Sequence, residues 1–163
     1  MRPYVFLDRD GVVNQERGKH TFKAEDFVWV DGFWDGLISL QKAGFRFGII
    51  TNQSGIAQGF YGHAEVEYLN QIIHKEANRN GLEIDFIYYC PHHPNFSRCL
   101  CRKPSRLLFE RAVHQFQVDV ANSWMIGDKE RDIIPARELG FKTLQVVANS
   151  NFAANITPLL AHG

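Results

Sequence analysis

The stretch Tyr4-Val5-Phe6-Leu7-Asp8-Arg9-Asp10-Gly11 opens the chain with an apolar run that ends in two aspartates. A short apolar run bounded by turn residues predicts a buried strand. Asp8 and Asp10 would then lie at the carboxyl edge of a sheet, where open α/β folds bind their ligands. Two close carboxylates indicate a metal site or an acid–base pair. Because Asp and Gly are also ordinary turn residues, the stretch alone leaves a plain strand end as the alternative.

The rest of the chain repeats this alternation of apolar strands and amphipathic helices. After the first strand, the pattern predicts strands at 45–50, 85–89, 123–126 and 143–147, and helices at 33–42, 62–80, after Ser105 and at 132–139. Such alternation is typical of a parallel sheet with helices on both faces. We therefore predict a Rossmann-like α/β fold with about five strands, formed by a single domain over residues 1–163.

Capping residues predict where two of these helices begin. Ser105 is expected to cap the third helix, with Leu107 and Leu108 on its inward side. Asp132 is expected to cap the fourth helix, which would put Pro135 in the first turn, where proline is tolerated. The tail, residues 148–163, carries little pattern.

Composition excludes several classes of protein. The chain has 163 residues with 18 basic and 18 acidic side chains, so its formal net charge is zero and no broad basic surface for nucleic acid is expected. No apolar stretch is long enough to span a bilayer, and the N-terminus leads directly into a strand with no visible signal peptide. Three cysteines fall within twelve residues, a pattern typical of metal ligation in a reducing compartment. We expect a cytoplasmic protein that binds neither nucleic acid nor membranes.

Polar residues follow each predicted strand, and the loops after parallel strands gather at one edge of the sheet. These residues are Asp8, Asp10, Thr51, Asn52, Arg102, Lys103, Asp128 and Asp132. Clustered carboxylates hold their charge when a cation lies among them, and Mg²⁺ suits ligation by oxygen. The hydroxyl and the two cations would surround an anion. This combination indicates phosphoryl transfer, in which an aspartate can serve as the covalent nucleophile.

These segments resemble the haloacid dehalogenase superfamily of phosphohydrolases. Its first motif, Asp-x-Asp after the first strand, matches Asp8 and Asp10, and its second, a Thr or Ser after the second strand, matches Thr51. The Lys of its third motif matches Lys103, and the Gly-Asp followed by another Asp of its fourth matches Asp128 and Asp132. The motifs stand in the superfamily's order over roughly residues 4 to 147, and the chain leaves no room for a separate cap domain.

The resemblance implies a role for each matched residue. Asp8 would attack phosphorus and form an aspartyl-phosphate, while Asp10 would protonate the leaving oxygen and then activate water. Mg²⁺ would be held by Asp8, the backbone carbonyl of Asp10 and Asp128, with Asp132 in a supporting position. Thr51 and Lys103 would stabilise the phosphoryl oxygens. A general acid that works near neutral pH needs a raised pKa, so we expect the pKa of Asp10 to be raised.

The segment 90–101 predicts a structural zinc loop. Three thiolates and one imidazole (Cys90, His92, Cys99 and Cys101) make a complete Zn²⁺ set, with His93 as the alternative imidazole and free thiols as the alternative to a metal. Four protein ligands leave no open position, so this zinc would fold the loop and hold Arg102 and Lys103 in place.

Two zinc-loop branches of the superfamily are similar to this chain, one acting on a heptose bisphosphate and one on histidinol phosphate. The segments 51–57 and 88–94 are more similar to the heptose branch, whereas the short spacing between His92 and Cys99 is closer to the histidinol branch. Gln58 stands where the heptose branch usually has Arg. We predict that the heptose bisphosphate is the substrate and that histidinol phosphate is the alternative.

The resemblance also implies the residues that contact substrate. They are Glu16, Arg17, Gly18, Lys19, Asn52, Gln53, Ser54, Arg102 and Lys129. Lone surface lysines are usually just solvated, which is the competing interpretation for Lys19 and Lys129. The remaining histidines, among them His20 and His162, are interpreted as solvated or locally bonded.

The expected partner is a small phosphorylated metabolite, bound by a monomer. A zinc-stabilised module that senses such a ligand without turnover is the alternative from another class. A zinc-finger role is disfavoured because no basic recognition helix follows the cysteines.

Overall fold

A computed structural model describes residues 1–161, so His162 and Gly163, the end of the predicted domain, lie outside the described residues. Strands and helices alternate along these residues as the sequence predicts. The strands are β1 Tyr4–Leu7, β2 Arg46–Asn52, β3 Ile84–Cys90, β4 Trp124–Gly127 and β5 Lys142–Gln145. The helices are α1 Phe33–Lys42, α2 His63–Arg79, α3 Leu107–Phe116, α4 Glu130–Leu139, α5 Phe152–Asn155 and α6 Thr157–Leu160.

The five strands form one parallel sheet in the order β3-β2-β1-β4-β5. β1 is central and fully buried because side chains alternate between the two faces of a strand and both faces are covered. Val5 and Leu7 belong to the core on one face, and Tyr4 and Phe6 to the core on the other. The predicted parallel sheet with helices on both faces is therefore confirmed.

The chain leaves β1 toward β2 on one side and later returns to β4 on the other side of β1. Such a change of direction opens a crevice at the carboxyl ends of the strands, and open α/β sheets bind ligands there. Asp8 follows β1 and Asp128 follows β4, so these aspartates flank the crevice.

Both predicted caps are wrong. α3 begins at Leu107 with Arg106 at the N-cap position and no capping side chain, and Leu107 is 45% exposed while Leu108 is buried. α4 begins at Glu130, so Asp132 is its third residue and Pro135 lies beyond the first turn. The Asp132 carboxylate reaches back to the backbone N–H of Lys129 at 3.1 Å, which satisfies a free helix donor from inside the helix.

The tail contributes to the core although its sequence shows little pattern. α5 and α6 turn Phe152, Ile156 and Leu159 inward against the core that includes α1. Helices of four residues are too short for hydrophobic periodicity to be visible in the sequence. No helix within residues 1–161 combines the length and apolarity needed to cross a bilayer.

Candidate active site

Asp8, Lys103 and Asp132 form a buried ionic group at the carboxyl edge of the sheet. The Lys103 Nζ atom lies 2.8 Å from Asp8 Oδ1 and 2.6 Å from Asp132 Oδ1, and it also donates to the carbonyl of Ile50 at 2.7 Å. Lys103 and Asp132 are each 1% exposed and Asp8 is 7% exposed. One ammonium from the loop after β3 thus joins the ends of β1 and β2 to the start of α4.

Asp128 completes a cluster of carboxylates that fits a hard cation. One oxygen each from Asp8, Asp128 and Asp132 lies within 4.8 Å of the others. A Cβ at Gly127 would fall 2.3 Å from the Asp132 Cβ, so only glycine lets these segments pack this closely. A set of oxygen donors is the kind that Mg²⁺ prefers.

Burial and neighbouring charges shift the pKa values of this cluster. Burial, together with the charges of Asp132 and Asp10, raises the pKa of Asp8 well above its usual range, although Lys103 opposes the shift. Burial and Asp132 also raise the pKa of Asp128. For Lys103, burial favours the neutral amine, but the carboxylates of Asp8 and Asp132 outweigh it and raise its pKa. The site therefore carries more negative charge than its lysine offsets.

Asp10 lies in a different environment. Its Oδ1 accepts from Arg9 Nη2 and Asn14 Nδ2, both at 3.0 Å, and its Oδ2 accepts from Gln53 Nε2 at 3.0 Å. Burial disfavours the charged form, but Arg9 and the hydrogen bonds outweigh burial and lower the pKa of Asp10. The expected raised pKa is thus wrong for this arrangement, because the sequence does not reveal that the Arg9 side chain turns inward and pairs with its neighbour.

Thr51 and Gln53 form the wall beside Asp10. Thr51 is 1% exposed at the end of β2, and its Oγ1 accepts from Gln53 Nε2 at 2.9 Å. The Gln53 Oε1 accepts from the Tyr61 hydroxyl at 2.7 Å. The Thr51 hydroxyl, predicted to bind the phosphoryl group, and the Gln53 amide, predicted to bind substrate, are therefore hydrogen-bonded to each other.

Asn52 fastens the loop after β3 to the end of β2. Its Nδ2 donates to the carbonyl of Lys103 at 3.2 Å, and its Oδ1 accepts from the backbone N–H of Lys103 at 3.0 Å. Paired hydrogen bonds of this kind fix the backbone from which the Lys103 side chain reaches Asp8.

The four predicted zinc ligands converge. Sγ of Cys90 lies 3.5 Å from Nδ1 of His92, 3.7 Å from Sγ of Cys99 and 3.1 Å from Sγ of Cys101, and Cys101 Sγ lies 3.2 Å from His92 Nδ1. All three cysteines are free of disulfides. Zn–S bonds of about 2.3 Å in a tetrahedron put sulfurs about 3.8 Å apart, which is close to the Cys90–Cys99 distance. The four donor atoms all lie within 4.8 Å of one another, so the cluster is compatible with a bound metal ion.

His93 does not join this cluster. Its Nδ1 accepts from the backbone N–H of Asn95 at 3.1 Å, and its ring packs against Phe96. The next residue after the cluster, Arg102, donates from Nη1 to the carbonyl of His92 at 3.4 Å. The loop thus connects the cysteine cluster directly to Arg102 and Lys103.

A cavity of about 370 Å³ opens above the carboxylates. It is lined by most of the predicted catalytic and substrate-contacting residues. These are Asp8, Asp10, Glu16, Gly18, Lys19, Asn52, Gln53, Ser54, Arg102, Lys103, Asp128 and Lys129. Lys19, Arg102 and Lys129 add positive charge to a lining that also contains the carboxylates of Asp8, Asp10 and Asp128.

Arg17 is the predicted substrate contact that lies outside this lining. Its guanidinium turns away to Asp26 at 3.3 Å, to the Thr21 hydroxyl at 3.2 Å and to the His20 carbonyl at 3.1 Å. Arg17 therefore stabilises the segment that also contains Gly18 and Lys19, which line the cavity.

Three lining residues were missed from the sequence: His20, Thr21 and Arg131. His20 Nε2 contacts the Oε1 atom of Gln58 at 3.2 Å, which joins the segment after β1 to the segment after β2. Arg131 follows the Asp128 motif by three residues, and that position at the start of α4 is the signal that would have found it.

Comparison with known proteins shows which family this chain resembles. A HAD-hydrolase-like family model matches residues 100–156. The chain is 38% identical over 148 residues to a D-glycero-beta-D-manno-heptose-1,7-bisphosphate 7-phosphatase of Vibrio cholerae, covering 87% of this chain and 79% of the relative. It is 38% identical over 150 residues to the enzyme of the same name from Escherichia coli O6:H1, covering 87% and 78%.

A solved structure shows the same fold. The D,D-heptose 1,7-bisphosphate phosphatase of B. bronchiseptica, complexed with magnesium and phosphate, superposes with a TM-score of 0.82 at 28% identity, covering 99% of this chain and 87% of that one. The sequence-based prediction of a haloacid dehalogenase-type phosphatase is confirmed. The chain belongs to the haloacid dehalogenase-like family of phosphatases, in the branch that contains these heptose bisphosphate enzymes.

Proposed function

We propose that this phosphatase removes the 7-phosphate of D-glycero-D-manno-heptose 1,7-bisphosphate in a Mg²⁺-dependent reaction. The observation that carries the proposal is one cavity lined both by the ion pair of Asp8 and Lys103 and by three further cations, Lys19, Arg102 and Lys129. The ion pair suits a reacting phosphoryl group. The further cations suit a second anionic group on the same small molecule.

Asp8 is the proposed nucleophile. It attacks phosphorus, the bond to the sugar oxygen breaks, and an aspartyl-phosphate forms on its carboxylate. Lys103, bonded to Asp8 and Asp132, and the Thr51 hydroxyl stabilise the equatorial oxygens of the phosphoryl group. Because Asp132 is engaged with Lys103 and with the backbone of Lys129, it orients the lysine.

Asp8, the backbone carbonyl of Asp10 and Asp128 are the proposed ligands of Mg²⁺. The four carboxylates of the edge and the buried cations Arg9 and Lys103 leave a formal charge of −2, which a divalent cation balances. A bound Mg²⁺ supplies charge that keeps Asp8 ionised and offsets the charge on the phosphoryl group.

Asp10 is the proposed proton carrier. In the free site Arg9, Asn14 and Gln53 hold it ionised. A phosphate dianion bound beside it would favour the protonated form, since like charges raise a carboxyl pKa. Asp10 would then donate its proton to the sugar oxygen as that oxygen leaves, and take a proton from the water that hydrolyses the aspartyl-phosphate.

Cys90, His92, Cys99 and Cys101 are the proposed ligands of a structural Zn²⁺. A thiolate-rich site in free cysteines suits a reducing compartment, so we infer a cytoplasmic enzyme, and we keep the monomer as its proposed state. The zinc would hold the loop from which Arg102 and Lys103 enter the cavity.

Phosphate release from two substrates tests this function. The heptose bisphosphate and histidinol phosphate are compared with and without Mg²⁺, and we expect kcat/KM to be higher for the bisphosphate and negligible without the metal. Histidinol phosphate stays the second candidate because the interval from His92 to Cys99 is short. A higher kcat/KM for histidinol phosphate would replace the proposed substrate, and tight phosphate binding with no turnover of either would favour a sensor.

A further inference from the structure

We infer that Tyr61 and Gln53 form a positioning pair that aims the carboxyl group of Asp10 at the leaving oxygen. The inference rests on the proposed role of Asp10 and deepens it. Neither residue would touch the reacting atoms. Gln53 would act through Asp10, and Tyr61 through Gln53.

The Gln53 amide has no donor left for a substrate. Its Nε2 carries two hydrogens, and both are used, one on Asp10 Oδ2 at 3.0 Å and one on Thr51 Oγ1 at 2.9 Å. Its Oε1 accepts from the Tyr61 hydroxyl at 2.7 Å. Although Gln53 lines the cavity, it is 3% exposed, so its bonds are made to the protein. The amide is therefore part of the wall that holds Asp10.

The chemistry of the partners fixes which end of the amide faces Asp10. An ionised carboxylate only accepts hydrogen bonds, so it needs the NH₂ group and repels the carbonyl oxygen. The Tyr61 hydroxyl reinforces this choice by donating to the oxygen from the other side. Burial raises the pKa of Tyr61 to about 12, so its phenol remains protonated and able to donate.

Tyr61 is itself held on several sides. It is 7% exposed, its ring stacks on Phe22 at 5.0 Å, and the His20 ring meets it edge-on at 5.7 Å. A Cβ on Gly55 would lie 2.1 Å from Tyr61 Cε1, so the turn after β2 fits closely against the ring. Phe22 and His20 belong to the segment after β1 that forms a cavity wall. The pair thus links the position of that wall to the orientation of Asp10.

The arrangement has a measurable consequence. A sugar alkoxide is a poor leaving group and needs the proton from Asp10, whereas a nitrophenolate leaves without one. Loosening Gln53 should slow the first reaction and spare the second. A purely structural role would lower both to the same degree.

The test compares Tyr61→Phe with wild type on a sugar phosphate and on p-nitrophenyl phosphate. The parameter is kcat/KM, which reports the steps through formation of the aspartyl-phosphate. We expect about a fivefold loss on the sugar phosphate, the scale of one buried hydrogen bond, and less than a twofold loss on the nitrophenyl ester. Tyr88→Phe is the matched control, because Tyr88 also donates to a glutamine, Gln115 at 2.6 Å, on another part of the surface.

Gln53→Met is the second variant, and it removes both donors while keeping the length of the side chain. It should lose more than Tyr61→Phe on the sugar phosphate. Because Thr51 also loses a hydrogen-bond donor in this variant, the nitrophenyl ester should be affected too, but by a smaller factor than the sugar phosphate. Equal losses on both esters, or no loss on either, would overturn the inference. Failure of wild type to act on heptose bisphosphate would count against the proposed substrate only, because the ratio can be measured with any sugar phosphate that wild type hydrolyses.

Discussion

The two clusters that fit metal ions are held together in opposite ways. The carboxylates of Asp8, Asp128 and Asp132 lie at strand ends and at the start of a helix, and the buried Lys103 pairs with two of them, so regular secondary structure and ion pairs set their positions. The thiols and imidazole of segment 90–101 lie on a loop that leaves Phe96 66% exposed and Leu100 73% exposed. In the proposed function the first cluster would use a cation for charge balance and chemistry, whereas the second would use one to hold its shape.

Asp8→Asn should produce the largest effect and should separate the clusters most clearly. Loss of the nucleophile is expected to lower kcat by a factor of about 10⁴ or more, the scale seen when other hydrolases lose theirs. Lys103 keeps Asp132 as its partner, and the substitution relieves a buried carboxylate whose pKa is raised, so the folded state should not lose stability.

Phosphate release and thermal unfolding of Asp8→Asn are measured together, with Mg²⁺ left out of the unfolding experiment and no chelator added, so that any bound zinc stays in place. A variant that retains more than a hundredth of wild-type kcat would contradict the nucleophile. A marked fall in melting temperature would show that this cluster, too, depends on its charges for structure.

His92→Ala should show the reverse pattern, a loss of stability first. Structural zinc supplies on the order of 10 kcal/mol in small peptides, so losing one ligand here should cost on the order of 3 kcal/mol. For a chain of this size that corresponds to a melting temperature lower by about 6–12 °C. Zinc content, measured on the purified protein, should fall as well.

His93→Ala is the matched control for that variant. His93 is the adjacent residue, its ring contacts Asn95 and Phe96, and it lies outside the cluster. Its removal should leave zinc content intact and shift the melting temperature by less than about 2 °C. Equal losses from both variants would mean that the loop is held by local packing.

Asn52→Ala tests the hydrogen bonds that hold the backbone of Lys103, which lies between the two clusters in the chain. Its two hydrogen bonds fix the backbone of Lys103, which is next to Arg102 and two residues from Cys101. Without them Lys103 should shift relative to Asp8, and displacements of about 1 Å can cost up to about 100-fold in rate. We expect kcat to fall about 10-fold or more with zinc content unchanged. A change confined to KM would instead support the direct substrate contact predicted from the sequence.

The sequence predicts the two clusters because each follows from spacing alone. Aspartates at the ends of apolar runs, and cysteines with a histidine in a short loop, leave a pattern that requires no knowledge of packing. The buried Arg9, the Tyr61–Gln53 contact and the inward side chains of α5 and α6 leave none, because each depends on which distant side chain lies opposite. The prediction that Leu107 faces inward is wrong for a related reason, since whether the first residue of α3 is covered depends on what packs against it.

Alanine substitutions at Lys19 and Arg17 should give the smallest effects of this series. Both residues lie on a segment that belongs to neither cluster. Lys19 lines the cavity, whereas Arg17 turns to Asp26 and to the backbone of His20. If Lys19 contacts a substrate anion, Lys19→Ala should raise KM about 5-fold with kcat little changed, since an exposed charge pair contributes up to about 1 kcal/mol. Arg17→Ala should change KM less than about twofold, because an ion pair at the surface that does not touch the substrate contributes little to binding. Steady-state kinetics on the heptose bisphosphate checks both. Equal increases in KM would mean that the segment acts as one unit, and an unchanged KM in both would assign recognition of the second phosphate to Arg102 and Lys129.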